Sequence, residues 1–296
     1  MNTEKRRQAA RWLNGTGIEV GALHNPLAVP ATARVQYVDR MSNEDLRRHY
    51  PEHDGATLAP VSIIGDAHDL SAIADASIDF VIANHLVEHL DNPIRGLVEM
   101  VRVLRPGGIL YVALPEPRVS FDRFRQLTSV EHIVNEYRHG PDSTREEHFR
   151  DWVHNVEAHV EGIPKRADKA KADRVRELMD MDYSIHFHLW RPDTFLEFLV
   201  AACREGNLLL EPLEFIPCMG GDDNEFIFIL AKGIAEKPPW VPPPPGEDGA
   251  QEVFELRSRL QRTEAALDAM AQSRSWRMTA PFRAALRRAR GTTRAR

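Results

Sequence analysis

Cysteine is nearly absent from this chain: only Cys203 and Cys218 occur. Two are too few for a disulfide framework, and they read as small buried hydrophobes, which suits a reducing cytoplasm. Long apolar runs are missing too. A stretch such as Phe226 to Ala231 falls far short of the roughly 20 residues that a membrane-crossing helix needs. The N-terminus MNTEKRRQAARW is charged and has no apolar stretch of the secretory kind. Acids vanish near the C-terminus, where eight arginines and no carboxylate follow Ser273. With a net charge of −6 overall, the preceding residues therefore carry −14. An acidic body is not expected to grip nucleic acid, whereas a basic tail suits an anionic surface.

A chain of 296 residues, 43% of them apolar, can bury a sizeable core, either as one large domain with additions or as two. Residues 17 to 39 organise the rest. An apolar run through Ile18 and Val20 stops at Gly21, a Pro-containing loop follows, and a second apolar run ends at Asp39. That pattern predicts strand, tight loop and strand. An adenosine ligand across the carboxyl ends of parallel strands meets main chain first and a ribose-binding acid about 20 residues later, the separation of Glu19 and Asp39. An ordinary strand-to-helix turn has the same look. Helical character over 3 to 13 predicts a lead-in helix that covers the ligand from outside. Ser42 is placed to cap a helix that stops near Pro51. Val61 to Ile64 reads as a third strand ending at Gly65 and Asp66, where a carboxylate can accept from an adenine amino group or simply close a turn.

The most informative block follows. FVIAN, residues 80 to 84, predicts a buried strand. Leu97, Met100, Val101 and Leu104 have helical spacing, and RPGG leads into the strand ILYVALP. This alternation implies a parallel sheet with right-handed crossovers. The run SIDFVIANHLVEHLDNPIRGLVEMVRVLRPGGILYVALP, with its EH pair and LRPGG turn, resembles a class I S-adenosylmethionine-dependent methyltransferase of the type 11-like kind found with bacterial glycan biosynthesis. The likeness covers roughly residues 15 to 115.

The resemblance implies a Rossmann-like, seven-stranded, mostly parallel α/β sheet closed by an antiparallel hairpin, and S-adenosyl-L-methionine as cofactor. It assigns Glu19 and Gly21 to the methionine part of the cofactor and Asp39 to the ribose. Asp66 with Ala67 is assigned to the adenine, and Asn84 and His85 to the strand exit beside the sulfonium. The family's acid-x-G-x-G-x-G loop is here Glu19-Val-Gly21-Ala-Leu-His24-Asn25-Pro26, with one glycine; Asn25 tolerates positive φ and Pro26 fixes the turn. GxGxxG is absent, which disfavours a nicotinamide dehydrogenase.

From 116 to 185 the chain is helical in character and rich in His, Arg and aromatics, the natural place for a substrate cover or else a solvated excursion. His186 and His188, on one face of a possible short strand or turn, could meet a substrate or a metal, or serve structure; no metal is expected. The helix RPDTFLEFLVAACREG and the runs 208 to 217 and 225 to 232 complete a catalytic domain over 1 to 235. A proline-rich linker over 236 to 250, a short coiled coil over 251 to 272 and a basic amphipathic tail over 273 to 296 follow. The coiled coil offers a homo-oligomer contact. The tail resembles those of bacterial surface-glycan proteins and offers peripheral contact with the inner membrane face of a cytoplasmic enzyme, a disordered basic tail being the alternative.

Methyl transfer from a sulfonium is an in-line displacement, for which positioning supplies roughly 7 to 11 kcal/mol and a base about 10²- to 10⁴-fold. His85 is the leading base by position; His89, one helical turn on, and His186 or His188 are its rivals. The expected acceptor is a small molecule or a glycan, through a sugar hydroxyl or amine. The alternative reading is a scaffold in glycan assembly that keeps the fold without turnover.

Overall fold

The computed structural model describes residues 3–51, 55–159 and 168–233. Strands β1 (Gly15–Val20), β2 (Ala33–Asp39), β3 (Val61–Ile64), β4 (Ile78–Asn84), β5 (Leu104–Pro115), β6 (Leu210–Ile216) and β7 (Glu225–Lys232) form one sheet in the order β3-β2-β1-β4-β5-β7-β6. All pairings from β3 to β5 are parallel, while β7 runs antiparallel to both β5 and β6. This is the Rossmann-like sheet expected from the sequence, including its terminal hairpin.

Both faces are covered, which explains why β4 and β7 are apolar almost without interruption. Alternation splits their side chains between two cores. Val81, Val112 and Phe228 face α3 (Pro93–Val103) and α7 (Pro192–Glu205), meeting Leu97, Met100, Phe195 and Phe198. Phe80, Ile82, Tyr111, Ile227 and Ile229 face the other way, against Ala9, Ala10 and Leu13 in and just beyond α1 (Thr3–Ala10). The lead-in helix thus seals a sheet face, and none of its residues lines the ligand cavity described below, which corrects the expectation that it covers the ligand.

Local signals place the connections. Ser42 Oγ accepts the Asp45 N–H at 3.2 Å and starts α2 (Asn43–His49). Asn92 Oδ1 accepts from Arg95 N–H at 3.1 Å, with Pro93 at the first position of α3. At Gly17 an added Cβ would lie 2.2 Å from the Phe80 carbonyl oxygen, so only glycine lets β1 and β4 approach this closely.

Residues 116–191 rise from the end of β5. Their described residues comprise two short 3₁₀ turns, α4 (Val130–His139), α5 (Asp142–Trp152) continuing into a π-type turn, α6 (Asp168–Asp180) and an irregular segment, 183–191. Phe149, Val153, Val175, Leu178, Ile185 and Phe187 give this insertion its own apolar cluster. The segment with His186 and His188 is neither strand nor tight turn. Its Phe187 and His188 amides donate to the Glu88 carbonyl, and Leu189 N–H donates to Thr128 Oγ1. Among the described residues no helix is long and apolar enough to cross a membrane. The expected linker, coiled coil and basic tail lie outside the described residues.

Candidate functional site

The carboxyl ends of β1 to β4 meet the insertion around a cavity of about 430 Å³. Gly21, Asp39, Asp66, Ala67, His85 and His89 all line it, so six of the sequence-derived candidates converge at one rim.

The one-glycine loop is tight by a route the sequence did not announce. Gly21 has φ +69° and donates its N–H to the Val38 carbonyl at 2.9 Å. The second left-handed residue is Leu23, φ +46°, rather than Asn25, whose N–H closes a turn onto the Ala22 carbonyl. Asn25 does not line the cavity.

Glu19 does not line it either, because the alternation that points Ile18 and Val20 to one core points Glu19 to the other. Fully buried, its carboxylate accepts the Leu27 N–H at 3.1 and 3.0 Å and so ties down the far end of the loop. Burial pushes its pKa up to about 7, against the Leu27 amide, Arg6 and the Asn84 side chain, which favour the charge. Asn84, also buried, is thus engaged with Glu19 and lines no described cavity.

Of the carboxylates singled out in the sequence, Asp39 and Asp66 do face the cavity. Asp39 is raised by burial, against the amides of Arg40 and Met41. Asp66 is lowered, first by its hydrogen bond with the His68 ring at 2.7 Å and also by the His68 N–H at 2.7 Å. On the solvent side, Asp182 is held between Arg40 and Arg145, each at 2.5 Å, and Arg145 also reaches Asp91 at 3.2 Å. This three-residue lock joins β2 to the insertion and has no signature in the sequence.

His85 leaves β4 with φ +51°, its N–H donated to the Ala113 carbonyl. Its Nε2 lies 2.8 Å from Glu225 Oε2 and its Nδ1 3.4 Å from Glu88 Oε1. Glu225, on β7, is gripped by Arg6 of α1 at 2.8 and 2.6 Å. Burial would raise the Glu225 pKa, but the bonds from Arg6 and His85 outweigh it and bring it down to about 2. The Glu225 carboxylate accepts from His85 Nε2 and holds the ring with Nδ1 towards Glu88.

A second cavity, of about 560 Å³, is also lined by His85, together with Ser120, Phe121, Arg123, Phe124, His159, His186 and Asn224. His186 Nδ1 donates to the buried Asp122 at 2.7 Å. His89 Nδ1 donates to the Ile185 carbonyl at 2.9 Å, and burial holds its pKa well below the usual histidine range. His188 is fully buried and touches neither cavity; burial lowers its pKa to about 3. That location removes it from the candidate bases, since no acceptor can reach it.

The chemistry of the first cavity fits a charged sulfur nucleoside. Its volume lies in the range of small-molecule sites, two acids stand at successive strand ends, and glycine backbone faces the ligand where a side chain would meet Leu86. The sequence profile of a family described as "Methyltransferase domain" matches residues 15–112, which hold all six rim residues. No curated protein matches the chain. Among solved structures the chain is similar to a SAM-dependent methyltransferase from Thermotoga maritima described as a possible histamine N-methyltransferase. The two share 15% identity over 78% of this chain and 89% of that one, with a TM-score of 0.41. It is also similar to the N-methyltransferase NodS from Bradyrhizobium japonicum, at 12% identity over 78% and 96% and a TM-score of 0.37. An arsenic(III) S-adenosylmethionine methyltransferase from Chlamydomonas reinhardtii gives 17% over 75% and 64%, at 0.37. At TM-scores below 0.5 these likenesses carry no weight for mechanism or acceptor. Residues 15–112 are therefore a methyltransferase domain, and the first cavity opens at its rim.

Proposed function

We propose that this chain is an S-adenosylmethionine-dependent methyltransferase that acts on a polar acceptor, a sugar hydroxyl or amine of a glycan or nucleotide-sugar intermediate, with His85 as its base. The observation that carries the proposal is that His85 lines both cavities. An acceptor in the second cavity would meet the same imidazole that borders the donor cavity.

Gly21, Asp39, Asp66 and Ala67 would hold the cofactor, which supplies a methyl group already activated on a sulfonium. The chain's own residues provide the rest. The Phe121 and Phe124 rings, 43% and 48% exposed, offer flat apolar faces for a sugar ring, while Ser120, Arg123, His159 and Asn224 offer hydrogen bonds to its hydroxyls. The Glu225 carboxylate orients His85 and stabilises the imidazolium that forms when Nδ1 takes the acceptor proton, a contribution of about 10²- to 10⁴-fold. His186, held by Asp122, is the second polar contact on the acceptor side. An oriented imidazole of this kind favours turnover over the scaffold reading.

The glycan assignment rests on this polar, aromatic second cavity and on the tail's resemblance, and peripheral membrane contact and oligomerisation rest on sequence alone. The test is to incubate the protein with S-adenosylmethionine and a panel of nucleotide sugars and glycan fragments, reading S-adenosylhomocysteine release and a one-methylene mass gain. Turnover on a sugar, lost in His85→Ala with cofactor affinity retained, is the expected result. Turnover only on apolar acceptors would refute the substrate class.

A further inference from the structure

Away from both cavities, the insertion holds a second constellation that the reaction does not use. His132 and Glu136 stand one turn apart on α4, His148 projects from α5, and His188 comes from the irregular segment. Each offers one donor atom, and these all lie within 4.8 Å of one another. His132 Nε2 is 2.9 Å and His148 Nε2 2.8 Å from Glu136 Oε1, the two nitrogens are 3.1 Å apart, and His188 Nε2 is 3.4 Å from Glu136 Oε2.

The four donor atoms lie close enough together to surround a single ion. A tetrahedral ion with bonds of about 2.0–2.1 Å separates its donors by about 3.3–3.4 Å, inside the span from 2.8 Å to within 4.8 Å that these donor atoms cover. As a network the group is poorly satisfied. One oxygen, Glu136 Oε1, is approached by two imidazoles and by Thr144 Oγ1, while Glu136 Oε2 and His188 Nε2 have no hydrogen-bond partner although both residues are fully buried. Two N–H groups aimed at one atom from 3.1 Å apart crowd their hydrogens, whereas two lone pairs aimed at one cation do not. Buried polar atoms without partners call for an explanation, and an ion between them supplies one.

We propose that His132, Glu136, His148 and His188 form a closed tetrahedral site for a first-row divalent cation, zinc by its donor set, that staples α4 and α5 to the segment 183–191. Three imidazoles and one carboxylate with no thiolate suit zinc, and four protein ligands leave no open position, as in structural rather than catalytic sites. His132, 29% exposed, marks the route by which the ion enters. The staple matters because the same segment delivers Ser184 and Phe187 to the first cavity and His186 to the second. Sequence alone led to the expectation of no metal, since only the i, i+4 pair on α4 is local.

The test uses the full chain without a histidine tag, loaded with zinc, freed of unbound metal by gel filtration and read by elemental mass spectrometry. About one ion per chain is expected. Cobalt loading should give the visible absorption of a tetrahedral complex. His148→Ala and His188→Ala should fall below about a tenth of an ion per chain. His132→Gln, at the part-exposed corner, should lower affinity at least about ten-fold with an unchanged circular dichroism spectrum. His186→Ala, in the neighbouring group of Glu88, His89 and His186, should keep its metal. The proposal is overturned if the wild type holds less than about a tenth of an ion per chain, or takes only magnesium or calcium. It also falls if the metal is retained by His148→Ala and lost from His186→Ala.

Discussion

Replacing Glu225 by Gln keeps its shape and removes its charge. Glu225 is fully buried and Arg6 is 8% exposed, so the substitution strands a guanidinium in the interior. Breaking such a pair from one side costs about 3–5 kcal/mol. The carboxyl pKa gives an independent figure: a shift from 4.5 to about 2 is worth about 3 kcal/mol. Because the folded pKa is depressed, this stabilisation is present above about pH 4.5 and is lost as pH falls towards 2. Urea denaturation of E225Q at pH 7 should therefore show a loss of about 3 kcal/mol that shrinks on acidification. Turnover should fall at least about 100-fold, because His85 loses the group that holds its ring. Affinity for S-adenosylmethionine, measured by titration calorimetry, should stay within about three-fold, since Glu225 does not line that cavity. The double variant R6M/E225Q separates the effects: it removes the stranded charge and recovers stability, but not turnover. An E225Q protein with wild-type turnover, or one less than about 1 kcal/mol weaker, would refute the coupling.

Asp39→Asn should raise the cofactor Kd about 10- to 100-fold by calorimetry, the worth of a hydrogen bond to a charged acceptor, with little change in Tm, because Asp39 is already disfavoured as an anion by burial. Gly21→Ala forces a Cβ onto φ +69° beside Leu86 and should cost about 1–2 kcal/mol in denaturation as well as weakening the cofactor. Glu19 has a raised folded pKa of about 7, so wild-type stability should fall as pH rises from about 4.5 to 7; E19Q, whose amide oxygen still accepts from Leu27, should flatten that slope. A chain truncated after residue 235 should bind S-adenosylmethionine as the full chain does, because every residue of the first cavity lies between 20 and 187.

The parts of this protein that announce themselves in sequence are those set by neighbours along the chain. FVIAN and EFIFILAK are apolar on both faces and so read as central strands, and Asn92-Pro93 before an amphipathic run reads as a helix start. Asp39 and Asp66 were legible because a strand end places its last side chain at the sheet's edge. Glu19 was misplaced although strand alternation with Ile18 and Val20 already pointed it away from the ligand. The rest depends on distant partners. His85 meets Glu225 across 140 positions, and Arg40 meets Asp182 across 142. No periodicity encodes such pairs, so the carboxylate beside His85 and the lock beside the first cavity had to come from the fold.

That lock bears on how the enzyme resets between cycles. Asp182 is 58% exposed where it sits between Arg40 and Arg145, so dissolved ions compete with it directly. A latch made of charge instead of bulk should loosen as ionic strength rises, so departure of spent donor from the first cavity should quicken with added salt. If release is the slow event, this catalyst runs faster in brine than in dilute buffer, the reverse of what electrostatic attraction for a substrate would produce.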